Sequence, residues 1–334
     1  MIGACTPQNL RAELERLGRD WRRGRAEAPR FVYLAPPDHR DLCRALEASA
    51  GALDREGDLG GVYAARAREI ADEAAIAGAA GTPSLWALAR RRFARRDRFD
   101  AEADAVVKVW LEAPIGEEGT PHEESIRSDD DRDPGSLLSR MRAAVSARRL
   151  PVRVVVTPEL AALAATGDGV IQIARGRMVS AHDAARTVLH EIEGHVAPRV
   201  RAASARLAIF AVGSARGSDD QEGRALSIER RSEFLNGPRQ RELALRHIAA
   251  RSVEQRADFV DTVRLLRRFS GSLPDTLRVA ARAHRGGGLA RESVYVPAWL
   301  RHEEAVRRDP GLDRVLGRGR IAVDVAAVLA PWLE

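Results

Sequence analysis

His190, Glu191 and His195 stand together in the segment RTVLHEIEGH (186–195). Two imidazoles on one helix can ligate a metal ion, and a carboxylate between them can take a proton from water held there. Such histidines are usually four residues apart, about 40° around a helix axis. Here the spacing is five, which in a regular helix sets them about 140° apart. Gly194 and Pro198 offer a remedy, because the proline removes a hydrogen bond to Gly194. The last turn is then free to widen into a π-like bulge or to unwind, swinging His195 back towards His190.

A third ligand is sought downstream. In QEGRALSIERRSEFL (221–235), Glu222 shares a helical face with Leu226, Glu229 and Glu233. A glutamate on a second helix would complete a His₂Glu set and leave a fourth position for water. Asp219 and Asp220 compete for this role beside the Ser218 turn, and Glu222 also suits a simple electrostatic role at a helix start. Spacing leaves these alternatives open.

These residues must be held by surrounding elements. Leu10, Leu14, Leu17 and Trp21 mark an amphipathic helix, and further helical periods follow to residue 112, one of them opened by Ser84 as N-cap. Residues 113–135 are acidic, rich in Pro and Gly and without apolar period, and read as a solvated linker. Asp129–Asp131 within it lack the spacing of a calcium loop. A helix at 136–149 precedes a strand over 152–157, and residues 169–181 read as a second strand or a hairpin about Arg175-Gly176. Ser180 then caps a helix over 181–196 that Pro198 should end. Helices follow at 199–213, 220–236, 239–269 and 274–283, with Gly286–Gly288 as a break. The fold class expected is α+β, predominantly helical, with a small sheet before the His-Glu helix. Three portions result: 1–112 helical, 113–135 linker, and 136–334 carrying the metal site.

Composition narrows the function. The chain has 334 residues and 45% hydrophobic content, enough for a sizeable core. Aromatics are only 4%, too few for a base-stacking surface. The net charge of +6 comes from 53 arginines and a single lysine, Lys108, so the high pI reflects arginine usage and makes nucleic acid an unlikely partner. Cys5 and Cys43 allow one disulfide at most. The start MIGACTPQNL lacks the charged and apolar regions of a signal peptide, and no apolar run is long enough for a membrane span. A cytoplasmic protein with no membrane partner is expected.

HEIEGH followed by QEGRALSIE resembles the bacterial flavohemoglobin expression-modulating QEGLA-motif proteins. Their animal relatives are the microtubule-associated tyrosine carboxypeptidases, which remove the C-terminal tyrosine of tubulin. Similar landmarks run from APRFVYL (28–34) and AAGTPSLWALA (79–89) to GGGLARESVYVPAWL (286–300). The resemblance implies a zincin-like, zinc-dependent metallopeptidase of the HExxxH type. His190, His195 and Glu222 would be the zinc ligands and Glu191 the general base. Two departures stand near the site: Glu193 fills the place of the family's glycine, with Gly194 following, and Arg224 replaces the leucine of QEGLA.

A carboxypeptidase must bind a free C-terminal carboxylate, for which an arginine fork is suited. Arg186, Arg224 and Arg231 are the candidates nearest the proposed ligands, and Tyr295 is a candidate to stabilise the oxyanion. The expected partner is a peptide or protein C-terminus. Two other readings stand beside this one: a biosynthetic metalloenzyme or amidase acting on a small or modified peptide, and a non-enzymatic basic regulatory protein.

Overall fold

The computed structural model describes residues 1–94, 97–114, 125–167 and 169–333, so residues 115–124 of the acidic linker lie outside the described residues. Five helices come first: α1 (Leu10–Arg22), α2 (Arg40–Leu53), α3 (Gly57–Gly78), α4 (Leu85–Phe93) and α5 (Arg98–Glu112). Strand β1 (Ile126–Arg127), helix α6 (Leu137–Ala147) and strands β2 (Arg153–Thr157), β3 (Ala164–Thr166), β4 (Val170–Ala174) and β5 (Met178–Val179) follow. Then come α7 (Ala181–Leu189), a π-helical segment (His190–Val196), α8 (Ala197–Ala203), α9 (Ala208–Val212) and α10 (Gly217–Arg231). The chain continues through α11 (Gly237–Glu254), α12 (Phe259–Arg267), α13 (Leu273–Gly288) and α14 (Tyr295–Arg308) to short helical pieces near the end. The class is α+β and mostly helical.

The chain forms two compact units, each discontinuous in sequence: 1–113 with 240–297, and 114–239 with 298–334. In the first unit, α2 packs on α3 through Ala50, Ala64 and Ala67, small residues that let two backbones approach. In the second unit, β4 is the central strand of a three-stranded sheet. It pairs in parallel with β2 (Val154 opposite Ile171) and antiparallel with β3 (Thr166 opposite Ile171). Ile171 and Ile173 of β4 are fully buried with Leu137 and Met141 of α6. Ile192 and Val196 of the π-helical segment join the same cluster. Burying each aliphatic side chain stabilises by about 1.5–3 kcal/mol, so this contact fixes the π-helical segment against the sheet.

Three local expectations change. Residues 169–181 do not form a hairpin: β4 belongs to the three-stranded sheet, whereas β5 pairs with β1 in a separate antiparallel ribbon. Ser84 makes no capping bond, because its backbone is already helical and its hydroxyl lies 2.8 Å from that of Thr82. Helical structure also runs on past Pro198 into α8. Ala197 donates to Ile192, five residues back, and this wider register relieves the clash that a proline causes in an α-helix. Ser180 does cap α7, accepting from the amide of Asp183.

Cys5 and Cys43 are both free thiols. Among the described residues, no helix is long and apolar enough to cross a membrane.

Candidate metal centre

The π-helical segment solves the spacing problem posed by the sequence. Its wide turn brings His195 Nε2 to 3.2 Å from His190 Nε2. Glu222, on α10, places Oε2 at 3.4 Å from His190 Nε2 and 3.5 Å from His195 Nε2. The three donor atoms thus form a nearly equilateral triangle, with His190 and Glu222 buried and His195 partly buried.

Two glycine-sized gaps make this approach possible. A Cβ on Gly194 would stand 2.6 Å from the Cβ of Ala225, so the π-helical segment meets α10 through two minimal residues. On the far side of α10, a Cβ on Gly223 would stand 2.3 Å from the carbonyl of Ala298. Both Gly and Ala of the QEGRA run are therefore required by close packing around Glu222.

Each imidazole is aimed by its other nitrogen. His190 Nδ1 lies 2.6 Å from Glu229 Oε1, and His195 Nδ1 lies 2.9 Å from Gln221 Oε1. An oxygen acceptor at Nδ1 keeps a proton there and turns the Nε2 lone pair to the centre. Glu229 is fully buried and also accepts from Arg239 Nε at 2.9 Å. Burial pushes its carboxyl up, but Arg239 and His190 outweigh this and hold it down at about 2. Burial likewise opposes charge on His190, yet the Glu222 and Glu229 carboxylates raise its pKa to about 10. His195 moves the same way, with burial outweighed chiefly by Glu222. A cation entering the triangle thus competes with protons. Two imidazoles, each oriented by a further hydrogen bond, and one carboxylate are a donor set that fits a metal ion.

Glu191 is buried beside this triangle, and its Oε2 accepts a 2.6 Å hydrogen bond from the hydroxyl of Thr166 at the end of β3. The other nominated residues are placed as follows. Arg186 is buried and pairs with Asp183 at 3.3 Å, with Glu229 at 3.8 Å. Arg224 is buried and donates to Asp313 at 2.9 Å. Arg231 is exposed at the end of α10. Tyr295 belongs to the other compact unit, where the Arg246 guanidinium lies 4.1 Å from its ring centroid and Arg282 and Arg291 donate to its hydroxyl at 3.4 Å. Arg246, Arg282 and Arg285 surround the buried Glu292, whose carboxyl they hold well below the usual range against the effect of burial.

Sequence reasoning did not assign roles to Gln221, Glu229 or Thr166. Glu229 had a signal, since it lies two turns after Glu222 on the same helical face. Gln221 is the first residue of the QEG run, while Thr166 meets Glu191 only through the sheet.

Among curated proteins, no sequence matches the chain. The family model of the microtubule-associated tyrosine carboxypeptidases matches residues 21–334, nearly the whole length, and the chain belongs to that family.

Proposed function

We propose that this protein is a zinc-dependent carboxypeptidase that removes the C-terminal residue of a peptide or protein. The observation that carries the reading is the donor triangle with edges of 3.2, 3.4 and 3.5 Å. Tetrahedral zinc with ligands at about 2.0–2.1 Å sets them about 3.3–3.4 Å apart. Membership of a carboxypeptidase family supports the reaction class.

His190, His195 and Glu222 hold the ion. When bound, zinc supplies Lewis-acid polarisation of a carbonyl and lowers the pKa of water. Glu191 acts as general base and then general acid, taking a proton from the attacking water and returning it to the leaving amine. Thr166 holds the Glu191 carboxylate through Oε2, leaving Oε1 for the proton. Glu229 and Gln221 keep both imidazoles in the tautomer that ligation requires.

A library of peptides with free or amidated C-termini, assayed with the purified protein with zinc and with chelator, tests the proposal. Release of single C-terminal residues from free-acid peptides only, abolished by chelator and by Glu191→Gln, is the expected result. Full activity of Glu191→Gln, or cleavage indifferent to chelator, would overturn it.

A further inference from the structure

The π-helical segment that brings the two histidines together carries an unmet hydrogen-bond acceptor. Ala197, the first residue beyond it, already donates its N–H to Ile192, five residues back. In the same wide register the next donor, for the carbonyl of Glu193, would be residue 198. That residue is Pro198, which has no N–H. A carbonyl left without a donor in this partly buried segment is unfavourable, which would favour a return to ordinary helix and rotate His195 away from His190.

The missing donor comes from outside the helix. Arg224 Nη1 lies 3.4 Å from the carbonyl oxygen of Glu193. The guanidinium is buried and is itself braced, with Nε donating to Asp313 Oδ1 at 2.9 Å. Asp313 lies 3.4 Å from His302 Nε2, and His302 Nδ1 lies 2.9 Å from Ser227 Oγ, one turn along α10 from Arg224. His302 and Arg224 together hold the Asp313 carboxyl well below the usual carboxylate range, against burial. The brace therefore starts and ends on the helix that supplies Glu222.

We infer that Arg224 is a positioning residue: it replaces the hydrogen bond that Pro198 withholds, and so locks the π register that sets His195 beside His190. The geometric part stands on the hydrogen bonds alone; its consequence for metal affinity rests on the zinc reading above.

Hydrogen–deuterium exchange of the peptide covering 186–200, together with zinc affinity by chelator competition, tests this on wild type, Arg224→Met and Arg224→Lys. Methionine keeps much of the packing without a donor, and lysine keeps a donor. In Arg224→Met, exchange in 186–200 should rise about tenfold while the amides of β4 stay as in wild type. Zinc affinity should fall at least about tenfold, and Arg224→Lys should recover part of both effects. Unchanged exchange in 186–200, or a rise spread evenly over the whole chain, would overturn the inference. A wild type that takes up no zinc while exchange still responds to Arg224→Met would overturn the zinc reading and leave the brace standing. If Arg224→Met fails to fold, Arg224→Leu against Arg224→Lys gives the same comparison of a side chain without a donor and one with it.

Discussion

Gln221 and His195 are joined by a 2.9 Å contact between the amide oxygen and Nδ1, so the residue directly before the glutamate donor orients a histidine donor from another helix. One turn of α10 thus supplies a candidate donor atom and the restraint on its neighbour. Gln221→Leu keeps the side-chain bulk and removes this acceptor. Zinc affinity is expected to fall about 10- to 100-fold with the fold intact, measured by chelator competition alongside circular dichroism.

Glu229 serves His190 in the same way but carries more weight, because it also neutralises the buried Arg239. Glu229→Leu leaves that guanidinium buried without its carboxylate. Stability should drop by about 3–5 kcal/mol, read as a lower urea midpoint at unchanged m-value.

The two glycines near the centre differ from Gly61 in α3. Ala at Gly194 or Gly223 is expected to destabilise by about 1–3 kcal/mol through overpacking, Gly223→Ala more strongly because its neighbour is the Ala298 backbone. Gly61, within α3, has nothing near its missing Cβ, and Gly61→Ala should stabilise by about 0.5–1 kcal/mol. Thermal melts of the three variants check the contrast.

Zinc uptake should release protons. The His190 pKa is raised to about 10, so this imidazole favours protonation at neutral pH, and the Glu222 carboxylate raises that of His195 in the same direction. A ligating nitrogen must give up its proton, hence affinity should fall as pH is lowered, about tenfold per unit for each proton displaced. Calorimetry in buffers of different ionisation enthalpy counts those protons; affinity that is flat between pH 6 and 8 contradicts the coupling.

A second pH effect belongs to the other unit. Burial pushes the His284 pKa down to about 4, from 6.5 in a solvated chain. The unfolded chain therefore binds a proton that the folded one refuses between those values. Stability from this group is present above pH 6.5 and lost as pH falls towards 4, by about 1.4 kcal/mol per unit. Urea denaturation of wild type and His284→Gln across pH 4–7 should converge at the acid end.

The histidine pair of the donor triangle was legible because its chemistry is local, whereas Glu222 was singled out from Asp219 and Asp220 only by the family resemblance. The bulge was legible too, since Gly194 and Pro198 weaken a helix where the spacing demands it. The continuation past Pro198 was not, because it depends on which carbonyl the proline ring faces. Pairing of β4 and β5 with different partners was also hidden, as alternation marks a strand without naming its neighbour. Thr166 and Asp313 reach the site through tertiary contacts that leave no spacing to read.

The second unit is closed by residues 298–334, far along the chain from its other part. During synthesis, every candidate metal donor leaves the ribosome before Ala298, against whose backbone Gly223 is fitted, and before Asp313, which braces Arg224. The packing around Gly223 and Arg224 is therefore incomplete while the whole intervening 240–297 stretch is made. On the proposed zinc reading, the C-terminal segment times the assembly of the centre, and uptake of the ion follows synthesis of nearly the whole chain.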